Sequence, residues 1–125
     1  MKIEDVMRKA IVIEDMTLKE AVKIMASKKV GSLIIMEKDK VEGIITESDI
    51  AKNISCLDKK VSDVMTKEVI NISPKSNLDK AVEIMAEKKI KRLPVVEKGN
   101  LVGIITVTDI IANSDDLNQD FFFED

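Results

Sequence analysis

The chain has 125 residues, with 20 Lys and Arg against 23 Asp and Glu, one cysteine and no histidine. That balance gives no broad basic field, so nucleic acid is a poor default partner and any anion site must be local. A lone Cys56 and the missing histidines exclude disulfides, histidine acid–base catalysis and Cys/His metal clusters.

The residues are 45% apolar and only 2% aromatic, so the core must be aliphatic. No long apolar run and no leader-like N-terminus stand in the sequence, which predicts a soluble, cytoplasmic protein with no membrane segment. Half the chain, ~60 residues, would be a marginal domain by itself, and two halves packed together would not be.

Each half follows one plan. A lead, Ile3 to Met7 and again Val61 to Met65, predicts one helical turn. A brief apolar strand follows, Ile11-Val12-Ile13 and then Val69-Ile70-Asn71-Ile72. Leu18, Ala21, Val22, Met25 and Ala26 form one apolar stripe at helical spacing, and Leu78, Ala81, Val82, Met85 and Ala86 repeat it sixty positions on. Thr17 and Asn77 are the expected N-caps. Lys28-Lys29 and Lys88-Lys89 suit helix C-termini, where cations are favoured.

A hairpin comes next in each half. Leu33 to Met36 turns through Glu37-Lys38-Asp39-Lys40 into Val41 to Ile45. Leu93 to Val96 turns at Gly99-Asn100 into Leu101 to Ile105. Pro94 cannot donate to a ladder and is expected at a strand start or edge. A second helix opens at Asp49 and at Asp109. The expected order is therefore β-α-β-β-α, twice, an α/β (α+β) fold with units at residues 1–57 and 58–113. The remainder, 114–125, is acidic and holds every aromatic residue in Phe121-Phe122-Phe123. It reads either as a loosely ordered terminus or as a docking peptide for a neighbouring subunit.

Two corners carry the chemistry. Gly43-Ile44-Ile45-Thr46-Glu47-Ser48-Asp49 recurs as Gly103-Ile104-Ile105-Thr106-Val107-Thr108-Asp109. Thr-x-x-acid is also the spacing of a helix capping box, which explains it without any ligand. The matched context, the glycine that leaves room near the backbone, and an Asp in both copies favour a second reading, in which a short carboxylate accepts two hydrogen bonds from a vicinal diol such as ribose. Lys91-Arg92, just before the second hairpin, could clamp a phosphate through charge-assisted bonds. The first half has Gly31-Ser32 there. No catalytic set accompanies the corners, and no metal site is expected.

This pattern resembles a pair of CBS domains, a Bateman module. The resemblance rests on the leads Asp5-Val6-Met7 and Asp63-Val64-Met65-Thr66, the two helices, Arg92-Leu93-Pro94-Val95-Val96, and the two Thr-x-x-Asp corners. It implies two units packed through their sheets about a pseudo-twofold axis, with two clefts for adenosine-containing ligands: AMP, ADP, ATP or S-adenosylmethionine. It implies Asp49 and Asp109 on ribose hydroxyls, Thr46 and Thr106 beside ribose or phosphate, and Lys91 and Arg92 on phosphate. Adenine would lie against Ala10-Ile11-Val12 and Val69-Ile70. The expected protein is a non-enzymatic, cofactor-free sensor, a stand-alone homodimer that regulates a separate, unidentified protein. A structural oligomerisation module without a ligand is the alternative.

Overall fold

The computed structural model describes residues 1–113. The Phe-containing tail, and the docking reading of it, lie outside the described residues. Strand β1 is Val12–Ile13, followed by helix α1 (Leu18–Lys28), strands β2 (Ser32–Glu37) and β3 (Lys40–Thr46), and helix α2 (Glu47–Lys52). Helix α3 (Leu78–Lys88), strands β4 (Arg92–Glu97) and β5 (Asn100–Thr106) and helix α4 (Val107–Ala112) complete the second pass. Both leads are single 3-10 turns, Ile3–Asp5 and Val61–Asp63. No helix among the described residues is long and apolar enough to cross a membrane.

The mixed α/β class and the doubled plan are those the sequence predicts, with three local differences. The short helices open at Glu47 and Val107, because Thr46 and Thr106 are their N-caps and the aspartates sit one turn inside. Asn77 occupies an N-cap position without a side-chain cap bond, whereas Thr17 Oγ1 accepts from the Glu20 amide at 3.2 Å. The second hairpin turns at Lys98-Gly99, both at positive φ, and the first at Lys38-Asp39. Pro94 lies within β4, an edge strand of its two-stranded sheet as expected, and its carbonyl accepts from the Ile72 amide at 3.0 Å. The matching Ile34 amide donates to the Ile11 carbonyl, a bond that proline cannot make. Consequently β1-β2-β3 forms a three-stranded sheet, while β4-β5 has two strands and meets Ile72 only through an isolated bridge to Val95.

The compact units are not cut where the repeats are. One is continuous, Ala10–Val69. The other is split, joining Met1–Lys9 to the chain from Ile70 onward. The division at 1–57 and 58–113 follows the repeat; the compact units are cut after Lys9 and after Val69, because each lead packs on the other repeat. In the split unit Ile3 is fully buried with Leu78, Ala81, Leu93 and Ile105. In the continuous unit Val61 is fully buried with Leu18, Ala21, Leu33 and Ile45. Backbone bonds fix both arrangements. The Ile3 amide donates to the Ser76 carbonyl at 2.8 Å, and the Val61 amide to the Met16 carbonyl at 2.7 Å. Burying one such aliphatic side chain is worth ~1.5–3 kcal/mol.

Candidate functional site

Each corner is built where the last strand of a unit runs into its short helix. In the split unit the Thr106 amide donates to Asp109 Oδ2 at 3.0 Å, and the Thr106 hydroxyl donates to the same oxygen at 2.9 Å. Thr106 Oγ1 accepts in turn from the Asp109 amide at 3.2 Å. The continuous unit repeats this with Thr46 and Asp49, at 2.9, 3.1 and 3.4 Å. Both corners are therefore complete capping boxes, and the capping reading is satisfied in full. It consumes only Oδ2 of each aspartate.

The other carboxylate oxygen separates the twins. Asp109 Oδ1 pairs with Arg8 Nε at 2.8 Å, with the Asp109 side chain 9% exposed and that of Arg8 59%. A bonded partner is what lets a carboxylate lie buried. Asp49 is half-buried, and its Oδ1 has no bonded partner among the described residues.

Arg8 reaches Asp109 through the lead. It forms a two-bond bridge with Ile104: its amide donates to the Ile104 carbonyl at 2.9 Å, and its carbonyl accepts from the Ile104 amide at 2.8 Å. Thr66 makes the same bridge with Ile44, at 3.0 Å in both directions. The glycines make these bridges possible. A Cβ on Gly103 would stand 2.9 Å from the Arg8 carbonyl oxygen, and one on Gly43 would stand 2.8 Å from that of Thr66. The room left by each glycine is filled by a lead.

Lys91 and Arg92 also stand at the Asp109 corner. Arg92 pairs with Thr106 in the strand register, and the Lys91 carbonyl accepts from the Val107 amide at 2.9 Å. Arg92 Nε is buried with no hydrogen-bond partner among the described residues. At the other corner the equivalents are Ser32, buried and paired with Thr46, and Gly31, whose carbonyl accepts from the Glu47 amide at 3.1 Å. The Ala10-Ile11-Val12 segment lies at the far edge of the three-stranded sheet, with β2 between it and Thr46. Two strand spacings, ~10 Å, separate them across the sheet. Val69 is half-buried in the continuous unit, and Ile70 is exposed at the start of the second segment of the split unit. An open groove of about 540 Å³ lies between α1 and α2, lined by Val22, Met25, Val30, Ile50 and Ile54 among others. Gly31 and Glu47 border it, but Thr46 and Asp49 do not.

The sequence reading missed Arg8. Its one visible signal was a break in the repeat, Arg8 standing where the second lead has Thr66.

A β-α-β-β-α pass and a second pass whose first strand is reduced to a bridge at Ile72, each closing on a carboxylate corner, define a tandem α/β repeat module. The CBS domain model matches residues 3–56 and 61–116, and the chain belongs to the CBS domain family. A protein of Methanocaldococcus jannaschii is 41% identical over 96 residues, spanning 76% of this chain and 32% of that one. The inosine-5′-monophosphate dehydrogenase of the same organism is 39% identical over 99 residues, 78% of this chain and 20% of the enzyme. The chain thus spans a third or less of these two relatives. The CBS domain pair of protein MJ0100, solved in complex with 5′-methylthioadenosine and S-adenosyl-L-methionine, superposes with a TM-score of 0.85 at 30% identity. The match covers 90% of this chain and 94% of that one.

Proposed function

We propose that this CBS pair is a non-enzymatic regulatory module that binds adenosine-containing ligands at the Thr46–Asp49 and Thr106–Asp109 corners. The observation that carries this reading is the division of labour within each aspartate. Helix capping uses Oδ2 alone; Asp49 Oδ1 has no bonded partner among the described residues, and Asp109 Oδ1, which accepts from Arg8 Nε, keeps a second lone pair for a ribose hydroxyl. The likeness to a CBS pair holding two adenosine compounds supports the ligand class. Lys91 and Arg92 act on phosphate, and Ala10, Ile11, Val12, Val69 and Ile70 offer backbone groups to adenine. The ligand shifts the conformation of a homodimer, and a separate protein in the cytoplasm reads the change. That coupling is no larger than the difference in ligand affinity between the two conformations.

The complete capping boxes favour a second reading, a structural oligomerisation module with no ligand. A thermal-shift series with AMP, ADP, ATP, S-adenosylmethionine and 5′-methylthioadenosine separates the two. A ligand present at a hundred times its dissociation constant adds about 2.7 kcal/mol of stability. If none of the five moves the melting temperature, the structural reading stands and the sensor reading falls.

A further inference from the structure

The two corners share one backbone plan and carry opposite charge. At the Asp109 corner the bridge residue is Arg8, the pair before the hairpin strand is Lys91-Arg92, and the first helical residue is Val107. At the Asp49 corner the same places hold Thr66, Gly31-Ser32 and Glu47. Three cations and one carboxylate occupy these positions at the first corner. Two carboxylates and no cation stand at these positions in the second. No broad field of the chain accounts for this, since its net charge is only −3.

Two further observations point to an anion at the Asp109 corner. Arg8 holds Asp109 through Nε alone, while its guanidinium carries five N–H donors and its side chain is 59% exposed. Four donors are left for a second acceptor. Arg92 Nε is a buried donor with no partner. A buried unsatisfied donor is costly, and an anionic oxygen is the acceptor that relieves it best. At the Asp49 corner an anion would meet Glu47 and Asp49 with no cation at the equivalent places.

We propose that the corners differ in ligand charge, with Arg8 as the residue that sets the difference. The Asp109 corner takes adenosine ligands bearing phosphate. The Asp49 corner takes uncharged or cationic ones, such as a thioether or sulfonium adenosine. The inference rests on the adenosine-binding reading and goes beyond it in assigning a ligand class to each corner through a residue of the opposite repeat.

Isothermal titration of the full chain with AMP and with S-adenosylmethionine tests it. Asp109→Ala should abolish AMP binding and leave S-adenosylmethionine binding intact, and Asp49→Ala should do the reverse. Arg8→Gln should weaken AMP at least tenfold and leave S-adenosylmethionine affinity within twofold. Thr66→Arg, which leaves the Asp109 corner untouched, should add a second AMP site. The inference is overturned if Arg8→Gln preserves the ratio of the two affinities, or if AMP fills both corners of the parent equally. If Arg8→Gln fails to fold, Thr66→Arg decides the matter alone, and a variant that gains no AMP site counts against the assignment. Failure of every adenosine compound to bind would instead remove the sensor reading, and this inference with it.

Discussion

Gly103→Ala probes the joint on which the Asp109 corner depends. The added methyl would stand 2.9 Å from both the Arg8 carbonyl oxygen and Met7 Sδ, and 3.2 Å from Met7 Cγ. Methionine is flexible and can swing aside. The carbonyl cannot, because Arg8 is held to Ile104 by bonds of 2.9 and 2.8 Å. Relief requires opening that bridge. Two backbone bonds at about 1 kcal/mol each are lost or stretched. The loss of unfolded-chain freedom on replacing glycine returns ~0.5–1 kcal/mol. Some overpacking strain remains, typically ~1–3 kcal/mol when extra carbon enters a packed site. The expected net loss is ~2–4.5 kcal/mol, read as a drop in the midpoint of urea unfolding. Gly99→Ala is the control. Nothing lies within 4 Å of its Cβ, and only its φ of +80° opposes a side chain, a penalty of ~1 kcal/mol. If Gly103→Ala costs no more than Gly99→Ala, the lead does not depend on the bare glycine and the account of the corner is wrong.

Two other outcomes follow from the bonds at the corners and at the second lead. Thr106→Ala should cost ~1–2 kcal/mol and Thr46→Ala ~0.5–1 kcal/mol by the same unfolding assay, since each removes a cap but only Thr106 also serves a buried aspartate; equal costs would mean the burial of Asp109 is immaterial. Asp15 accepts from the Ser62 hydroxyl at 2.6 Å and from the amides of Ser62 and Met16, and these bonds, led by the Ser62 hydroxyl, hold its carboxyl below the usual value. A lowered carboxyl stabilises the fold above its ordinary value of about 3.9 and loses that contribution as the pH falls through the lower folded value. Asp15→Asn should therefore cost a small, solvent-screened amount near neutrality, shrinking toward zero in acid, whereas a penalty that stays constant with pH would show that ionisation of Asp15 plays no part.

Much of this structure is written in local patterns. The stripe from Leu18 to Ala26, the caps at Thr46 and Thr106, and the hairpins all involve residues within a few positions of one another, and each appears twice. What the sequence concealed is the partner of each lead. Asp5-Val6-Met7 and Asp63-Val64-Met65 are alike, so their pattern says that they dock on a repeat without saying on which. The bridges that decide it, Arg8 to Ile104 and Thr66 to Ile44, join backbone groups far apart in the chain. Backbone pairing of that kind leaves no mark on side-chain periodicity. The glycines left a mark that pointed elsewhere: the space at Gly43 and Gly103 suggested an approaching ligand, and a carbonyl of the lead occupies it.

The exchange of leads also explains why the repeats occur as a pair. A ~60-residue unit has little surplus stability, and each repeat core here is completed by a fully buried side chain from the other repeat, Ile3 in one case and Val61 in the other. Losing either contribution, ~1.5–3 kcal/mol of burial with its backbone bonds, is comparable with the whole stability of so small a domain. The same exchange governs the corners. Thr106 and Asp109 are supplied by the second repeat, while the cation on Asp109 Oδ1 is supplied by the first. Repeats duplicated in sequence thus acquire unlike corners through a few flanking positions, of which Arg8 against Thr66 is the one supplied by the opposite repeat, without any change in the Thr-x-x-Asp motif that both retain.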